Sequence, residues 1–249
     1  MTFCVGIKVR QGLLALADSK IVKGEEQLKR AKLSVSEVDG NSWWLMTSGL
    51  RSVRDKALTY LEQELARRET ATTYLFELAN KFGNQLRRVR DEDGGALAAS
   101  NLAFNLHAVI GGQMAGDTEQ KMYYIYPEGN WIESTEDSPY FIVGRTYFAK
   151  PILDRLLTGA TPLREATALA FLAFDATRTC VNDVDYPIDL IVSDSMTRHS
   201  SQRRFEATEL DELGRWWHTT LASALVQFPF NYFDSLFQHL PDESSYRDE

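Results

Sequence analysis

The chain has few of the residues that most often announce a chemistry. Among its 249 residues there are two cysteines, Cys4 and Cys180, and four histidines. Two cysteines so far apart form no disulfide framework and no zinc-binding spacing, so they read as reduced thiols of a cytoplasmic protein. His107, His199, His218 and His239 share no ligand or triad spacing and read as structural or surface residues. No apolar run is long enough to span a bilayer, so no membrane partner is expected. No basic stretch followed by an apolar core suggests a secretory signal. Positive charge is also short: 27 Lys and Arg stand against 35 Asp and Glu, a formal net charge of -8. Such a chain repels phosphate backbones, which argues against nucleic acid as a partner. No internal repeat, low-complexity segment or linker-like stretch interrupts it.

The patterns that are present describe alternating blocks of strands and helices. Thr2 to Val9 alternates and is rich in β-formers; Gln11-Gly12 is a turn signal; Leu13 to Ala17 is a second strand that ends at Asp18. Leu33 to Val38 and Trp43 to Thr47 form the next pair, with a turn at Asp39-Gly40 or Gly40-Asn41, and Ser48-Gly49 breaks the second of them. Helical spacing then predicts helices over Arg51 to Arg68 and Thr72 to Arg90, the latter ended by a polar loop, Asp91-Glu92-Asp93-Gly94-Gly95. Strand character returns from Leu102 to Gly112. A hairpin is predicted around Pro127-Glu128-Gly129, and a short strand from Tyr140 to Val143. Helices follow at about Tyr147 to Leu157 and Leu163 to Thr179, the second with Thr161 as cap and Pro162 as first residue. Strands at Ile188 to Val192 and Arg198 to Phe205 and a helix at Glu209 to Val226 complete the pattern, before an aromatic and then acidic end. Antiparallel blocks separated by helix pairs imply an α+β fold, with two sheets face to face and helices outside.

Four positions carry a possible chemistry. Removal of Met1 would leave Thr2 with its hydroxyl and a free α-amine on one residue. An α-amine has a reference pKa of about 7.7–8.0, so near neutral pH it can take the hydroxyl proton while the oxygen attacks a carbonyl. A threonine in second place means little alone. Asp18 ends strand two in Leu16-Ala17-Asp18-Ser19-Lys20, and Lys32 opens strand three in Ala31-Lys32-Leu33. Strand ends in a hairpin sheet can converge on the amino terminus. There a lysine favours the neutral amine and an alkoxide-like transition state, and a carboxylate orients the lysine. Gly49, where strand four breaks, lets the backbone approach a substrate and aim an N–H at a developing oxyanion.

This order of residues resembles the proteasome β-subunit pattern, and Thr-Phe-Cys-Val-Gly-Ile-Lys-Val at the start is closer to its bacterial relatives, the ancestral β-subunit type called Anbu and the betaproteobacterial proteasome homologue. Tyr140-Phe141-Ile142-Val143-Gly144 followed by Pro151-Ile152-Leu153-Asp154, and Pro187 to Val192, resemble later parts of the family, so the likeness covers residues 2–205. It implies a four-layer αββα sandwich of the N-terminal-nucleophile hydrolase type. Residues 206–249 lie beyond the likeness and read as a helical and aromatic extension packed on or between subunits, because large apolar patches tend to be buried by partners. The resemblance implies threonine-type peptide hydrolysis without cofactor or metal, with Thr2 as nucleophile, Asp18 and Lys32 as its supporting pair and the Gly49 N–H as oxyanion donor. Ile21, Thr47 and Arg51 would line the specificity pocket. The partners implied are copies of the chain in a ring or stacked rings, and peptide or unfolded-protein substrates.

The chain departs from the family in two loops. After Val143 it reads Gly144-Arg145-Thr146, with no serine where the family places one. The later loop, Cys180 to Tyr186, offers Asp183 and Asp185 but not the usual Asp-then-Ser spacing. Either carboxylate could hold the α-amine, with Asp183 preferred. A scaffold of the same fold with weak turnover is the alternative reading.

Overall fold

The computed structural model describes residues 2–23, 26–29, 31–38, 41–67 and 72–240, with residues 21–23, 26–29 and 38 described by backbone alone. The turn expected at Asp39-Gly40 and the acidic tail from Asp242 to Glu249 lie outside them. Contacts divide the chain into two compact units, Met1–Glu209 and Leu210–Glu249.

The first unit opens with β1 (Phe3–Val9) and β2 (Gly12–Asp18), an antiparallel hairpin that closes at Val9 opposite Gly12. A small two-stranded sheet follows, β3 (Lys20–Lys23) with β4 (Glu26–Lys29), which the periodicity did not predict. β5 (Leu33–Val38) and β6 (Asn41–Ser48) form the next hairpin. Helices α1 (Arg51–Arg67) and α2 (Leu75–Ala99) come next. They lead into β7 (His107–Gly112), β8 (Lys121–Ile125), β9 (Trp131–Glu133) and β10 (Tyr140–Gly144). Helices α3 (Lys150–Leu156) and α4 (Leu163–Arg178) precede β11 (Ile188–Asp194) and β12 (Ser200–Phe205).

The strands assemble into two five-stranded antiparallel sheets, in the order β10-β1-β2-β11-β12 and β5-β6-β7-β8-β9. Helix α4 packs on β1 and β2, and α2 packs on β7 and β8, with α3 beside α4 and α1 beside α2. This is the four-layer αββα sandwich that the resemblance implied. The two adjacent tryptophans of β6 show how the layers are built. Successive side chains on a strand point to opposite faces. Trp43 accordingly joins Leu45, Ala108, Ile110 and Tyr123 in the core under α1 and α2, and Trp44 joins Met46, Val109 and Met122 in the core between the sheets. β2 lies in the middle of its sheet and is covered on both faces, so all seven of its residues are buried, Asp18 included. Each large apolar side chain so covered contributes roughly 1.5–3 kcal/mol.

Three expectations are corrected. The polar run from Asp91 to Gly95 does not end α2, which continues to Ala99. Its acidic residues are claimed by neighbours on the helix surface: Lys56 of α1 pairs with Glu92 and Asp93, and Arg88 pairs with Glu92 one turn away. The residues from Leu102 to Leu106 are not strand, because β7 begins at His107 opposite Ser48 and the preceding segment passes the backbone of Gly49 instead. Thr161 does not cap α4; its hydroxyl oxygen accepts the N–H of Thr158 at 2.9 Å, and Pro162 stands at the cap position.

The second unit holds most of helix α5 (Ala207–Val226), a 3-10 turn (Phe230–Tyr232) and α6 (Asp234–Phe237). Phe228 stacks on Phe233 within it, at 5.9 Å between ring centres. Trp216, Leu221, Leu225 and Phe237 are exposed. Among the described residues no helix is long and apolar enough to cross a membrane.

Candidate active site

The strand registers bring the sequence-picked residues to one end of the sandwich. Cys4 lies opposite Ala17 and Phe3 opposite Gly144, so Thr2 sits beside the ends of β2 and β10. Ile188 lies opposite Asp18 on the other side of β2. In the facing sheet Leu33 lies opposite Met46, which puts Lys32 next to Thr47 and the break at Ser48-Gly49.

Thr2 is buried, with 6% of its surface exposed. Its carbonyl oxygen accepts the backbone N–H of Arg145 at 2.8 Å. Gly144 makes that approach possible. Its φ is +95°, and a Cβ there would lie 1.9 Å from the Thr2 carbonyl oxygen. Any other residue would be strained and would push Thr2 away.

Asp18 is completely buried. One carboxylate oxygen accepts the Phe3 N–H at 2.7 Å, the residue directly after Thr2, and the other accepts from Lys32 Nζ at 2.7 Å. Lys32 is itself buried. Burial pushes the Asp18 carboxyl up to about 6, against the opposing pull of Lys32 and of the Phe3 N–H. The Asp18 carboxyl is therefore ionised at neutral pH and titrates just below it. Asp18 thus joins the backbone next to Thr2 to the buried Lys32. The neighbouring Cys4 thiol is fully buried, and burial followed by the charge of Asp18 raises its pKa well above the usual thiol range, which keeps it protonated.

Gly49 has φ +137°, and a Cβ there would lie 2.5 Å from the Asn105 carbonyl oxygen. The turn that ends β6 requires glycine on both counts. Of the residues implied for a specificity pocket, Thr47 is buried, Arg51 pairs with Asp55 at 3.1 Å, and the Ile21 side chain lies outside the described residues.

The two carboxylates of the later loop are drawn to different partners. Asp183 takes the Arg145 guanidinium at 2.9 and 3.3 Å. Burial raises the Asp183 carboxyl, but the Arg145 hydrogen bond and charge together with the chain's amino terminus outweigh it, so the group is held below the usual carboxylate range. Asp185 instead stands 3.5 Å from Lys20 and accepts the N–H of Tyr186. Arg145 therefore has its backbone on Thr2 and its side chain on Asp183. Sequence reasoning registered Arg145 only as a missing serine. It also missed Asp189, which is buried and paired with Arg204 and Ser19. A lone carboxylate in the apolar run from Pro187 to Val192 was the available signal. Among the described residues no group of three or more His, Cys, Asp or Glu side chains could hold a metal ion.

The fold is the N-terminal-nucleophile hydrolase fold of proteasome-related proteins, as its likeness to solved structures shows. Solved structures that resemble the chain include several of the Anbu, or ancestral β-subunit, type. Anbu from Yersinia bercovieri superposes with a TM-score of 0.83 at 26% identity, covering 92% of this chain and 98% of that one. The Pseudomonas aeruginosa protein, described as a helical assembly of the Anbu complex, gives 0.84 at 28% identity over 92% of this chain and 97% of that one. A variant of Anbu from Hyphomicrobium sp. strain MC1 gives 0.82 at 27% identity over 91% and 99%. No protein-family model and no curated protein sequence matches the chain.

Proposed function

We propose that this chain is the subunit of a proteasome-like, self-compartmentalising threonine peptidase of the cytoplasm, and that removal of Met1 makes Thr2 its nucleophile. The observation that carries the reading is the buried Asp18, bonded at once to the Phe3 N–H and to Lys32 Nζ. The Thr2 hydroxyl oxygen attacks the carbonyl carbon of a peptide bond, and its proton passes to the Thr2 α-amine. The developing oxyanion takes the Gly49 N–H, and Lys32 steadies the negative charge. The C–N bond breaks as the leaving amine takes the proton. Water then hydrolyses the Thr2 ester and restores the enzyme. Asp18 orients Lys32, and Asp183 accompanies the α-amine. The likeness to the Pseudomonas protein supports association with further copies of the chain, enclosing peptide or unfolded-protein substrates.

The test is the intact mass of the mature protein after treatment with a β-lactone or epoxyketone. One adduct is expected in the parent and none in Thr2→Ala. An adduct that persists in Thr2→Ala, or none in the parent, sinks the assignment.

The Arg145–Asp183 pair favours a second reading, an assembling scaffold with little turnover, because Arg145 shares the carboxylate that the α-amine would use. Robust Thr2-dependent cleavage of any peptide rejects that reading.

A further inference from the structure

Ser19, Asp189 and Arg204 form a chain of hydrogen bonds behind the candidate site that the peptidase mechanism leaves unused. Ser19 follows Asp18 directly and has no exposed surface. Its hydroxyl donates to Asp189 Oδ2 at 2.8 Å, and its backbone N–H donates to the Pro187 carbonyl at 2.8 Å. Arg204 on β12 closes on Asp189 with both arms of its guanidinium, Nε at 2.7 Å and Nη2 at 2.8 Å, and Nη2 also lies 3.5 Å from the Ser19 hydroxyl. Asp189 is only 4% exposed and sits among the apolar residues of β11, between Ile188 and Leu190.

A buried carboxylate in an apolar strand is costly unless it is paired, and an apolar residue of the same size would give a strand of at least equal stability. Stability alone therefore gives no reason for a charge at this place. Its neighbours do. Asp189 lies opposite Ala17 and adjoins Ile188, which lies opposite Asp18. The Cys4 thiol on β1 is reached by the charges of both carboxylates, Asp18 more strongly and Asp189 less. Lys32 before β5, the Phe3 N–H and the charge of the chain's amino terminus act on Asp18, and Cys4 on β1 and Asp189 with Arg204 on β11 and β12 lie beside it. Helix α4, packed on β1 and β2, brings the Asp175–Arg178 pair. Among these, Asp189 is a buried carboxylate of the same sheet, one register step from Asp18, and Arg204 is its counterion.

We propose that Arg204 and Asp189 are positioning residues for the candidate site: through Ser19 they fix the end of β2 that carries Asp18, and Arg204 cancels the negative charge that Asp189 would otherwise impose on Asp18. The inference rests on the peptidase reading of Thr2, Asp18 and Lys32. Arg204 is 46% exposed on its side chain, so the relay runs from the surface of β12 to the buried pair, and whatever engages Arg204 from outside acts on the site.

The test follows the Asp18 midpoint in the full-length protein by two routes. One is the pH dependence of Thr2 labelling by a β-lactone between about pH 5 and pH 8. The other, independent of activity, is the chemical shift of the Asp18 carboxyl carbon in protein enriched with 13C-aspartate. Arg204→Gln is expected to move both midpoints up by roughly one pH unit. Arg204→Gln combined with Asp189→Asn returns them to the parent value, and Arg204→Lys keeps it. A midpoint unmoved in folded Arg204→Gln protein overturns the relay, even if labelling is slower at every pH. Should Arg204→Gln fail to fold, Asp189→Asn alone must lower the carboxyl midpoint or leave it where Arg204 had set it; a rise overturns the relay. If the parent takes no label while the carboxyl midpoint still responds to Arg204→Gln, the relay stands and the peptidase reading falls.

Discussion

Lys32 Nζ and Asp18 Oδ2 meet at 2.7 Å in a place from which water is excluded: the two side chains are 5% and 0% exposed. Removing either partner leaves the other without its counter-charge inside the protein, which is far more costly than losing a surface pair. Lys32→Ala is expected to lower stability by roughly 3–5 kcal/mol at about pH 8, where Asp18 is ionised, and to abolish Thr2 labelling. Urea denaturation of parent and variant measures the first effect. A loss under about 1 kcal/mol would show that the pair is solvated rather than buried.

The raised Asp18 carboxyl makes activity and stability respond to pH in opposite directions. Its folded value of about 6 lies above the ordinary 3.8, so between those values the folded chain holds a proton that the unfolded chain releases. The stabilisation linked to Asp18 is therefore complete below about pH 4 and falls as pH rises through about 6, by roughly 2–3 kcal/mol in all. Labelling of Thr2 rises over the same interval, because only ionised Asp18 holds Lys32 as a charged partner. Asp18→Asn should remove this step from the stability curve. Denaturation midpoints at several pH values for both proteins measure it, and identical curves would refute the assignment.

Gly144 is expected to be as intolerant as Gly49. A methyl group at Gly144 would stand 1.9 Å from the Thr2 carbonyl oxygen, and one at Gly49 2.5 Å from the Asn105 carbonyl oxygen, both at positive φ. Gly144→Ala should cost about 1–3 kcal/mol and cut the labelling rate at least about tenfold, because it displaces the backbone that holds Thr2. Gly95→Ala is the control: nothing lies within 4 Å of the added carbon, and it should be neutral or slightly stabilising. Equal labelling by Gly144→Ala and the parent would count against the placement of Thr2.

The aromatic residues from Phe228 to Phe237 are expected to serve association between copies of the chain. Contiguous exposed apolar side chains on a folded chain mark a contact surface. Truncation after Gln227 should lower the mass of the assembly measured by light scattering while leaving the far-ultraviolet circular dichroism of the first unit in place. An assembly of unchanged mass would reject this role.

Much of the site was legible before any coordinates, because its parts lie at strand ends that local pattern defines. Alternation in Thr2 to Val9 and the turn at Gln11-Gly12 determine a hairpin, and a hairpin determines that the end of its second strand returns to the beginning of its first. Asp18 beside Phe3 follows from that alone. Lys32 and Gly49 were marked by position, one just before a strand and one just after. Other features were decided only by tertiary structure, because their partners are distant in sequence. The acidic run after Arg90 reads as a loop by composition, yet Lys56, more than thirty residues earlier, pairs with Glu92 and Asp93 and the helix continues. A one-dimensional reading prefers Asp183 to Asp185 only by a margin; Arg145 and Lys20, brought in by the chain after β10 and by the chain after β2, divide them. Asp189 drew no notice within its apolar strand; β12 supplies its partner Arg204 and the residue after β2 supplies Ser19. Hydrophobic periodicity and turn chemistry act over a few residues, so sequence carries them. The protonation and pairing of a buried charge depend on which distant groups share its low-dielectric surroundings, and only the packed sheets settle that.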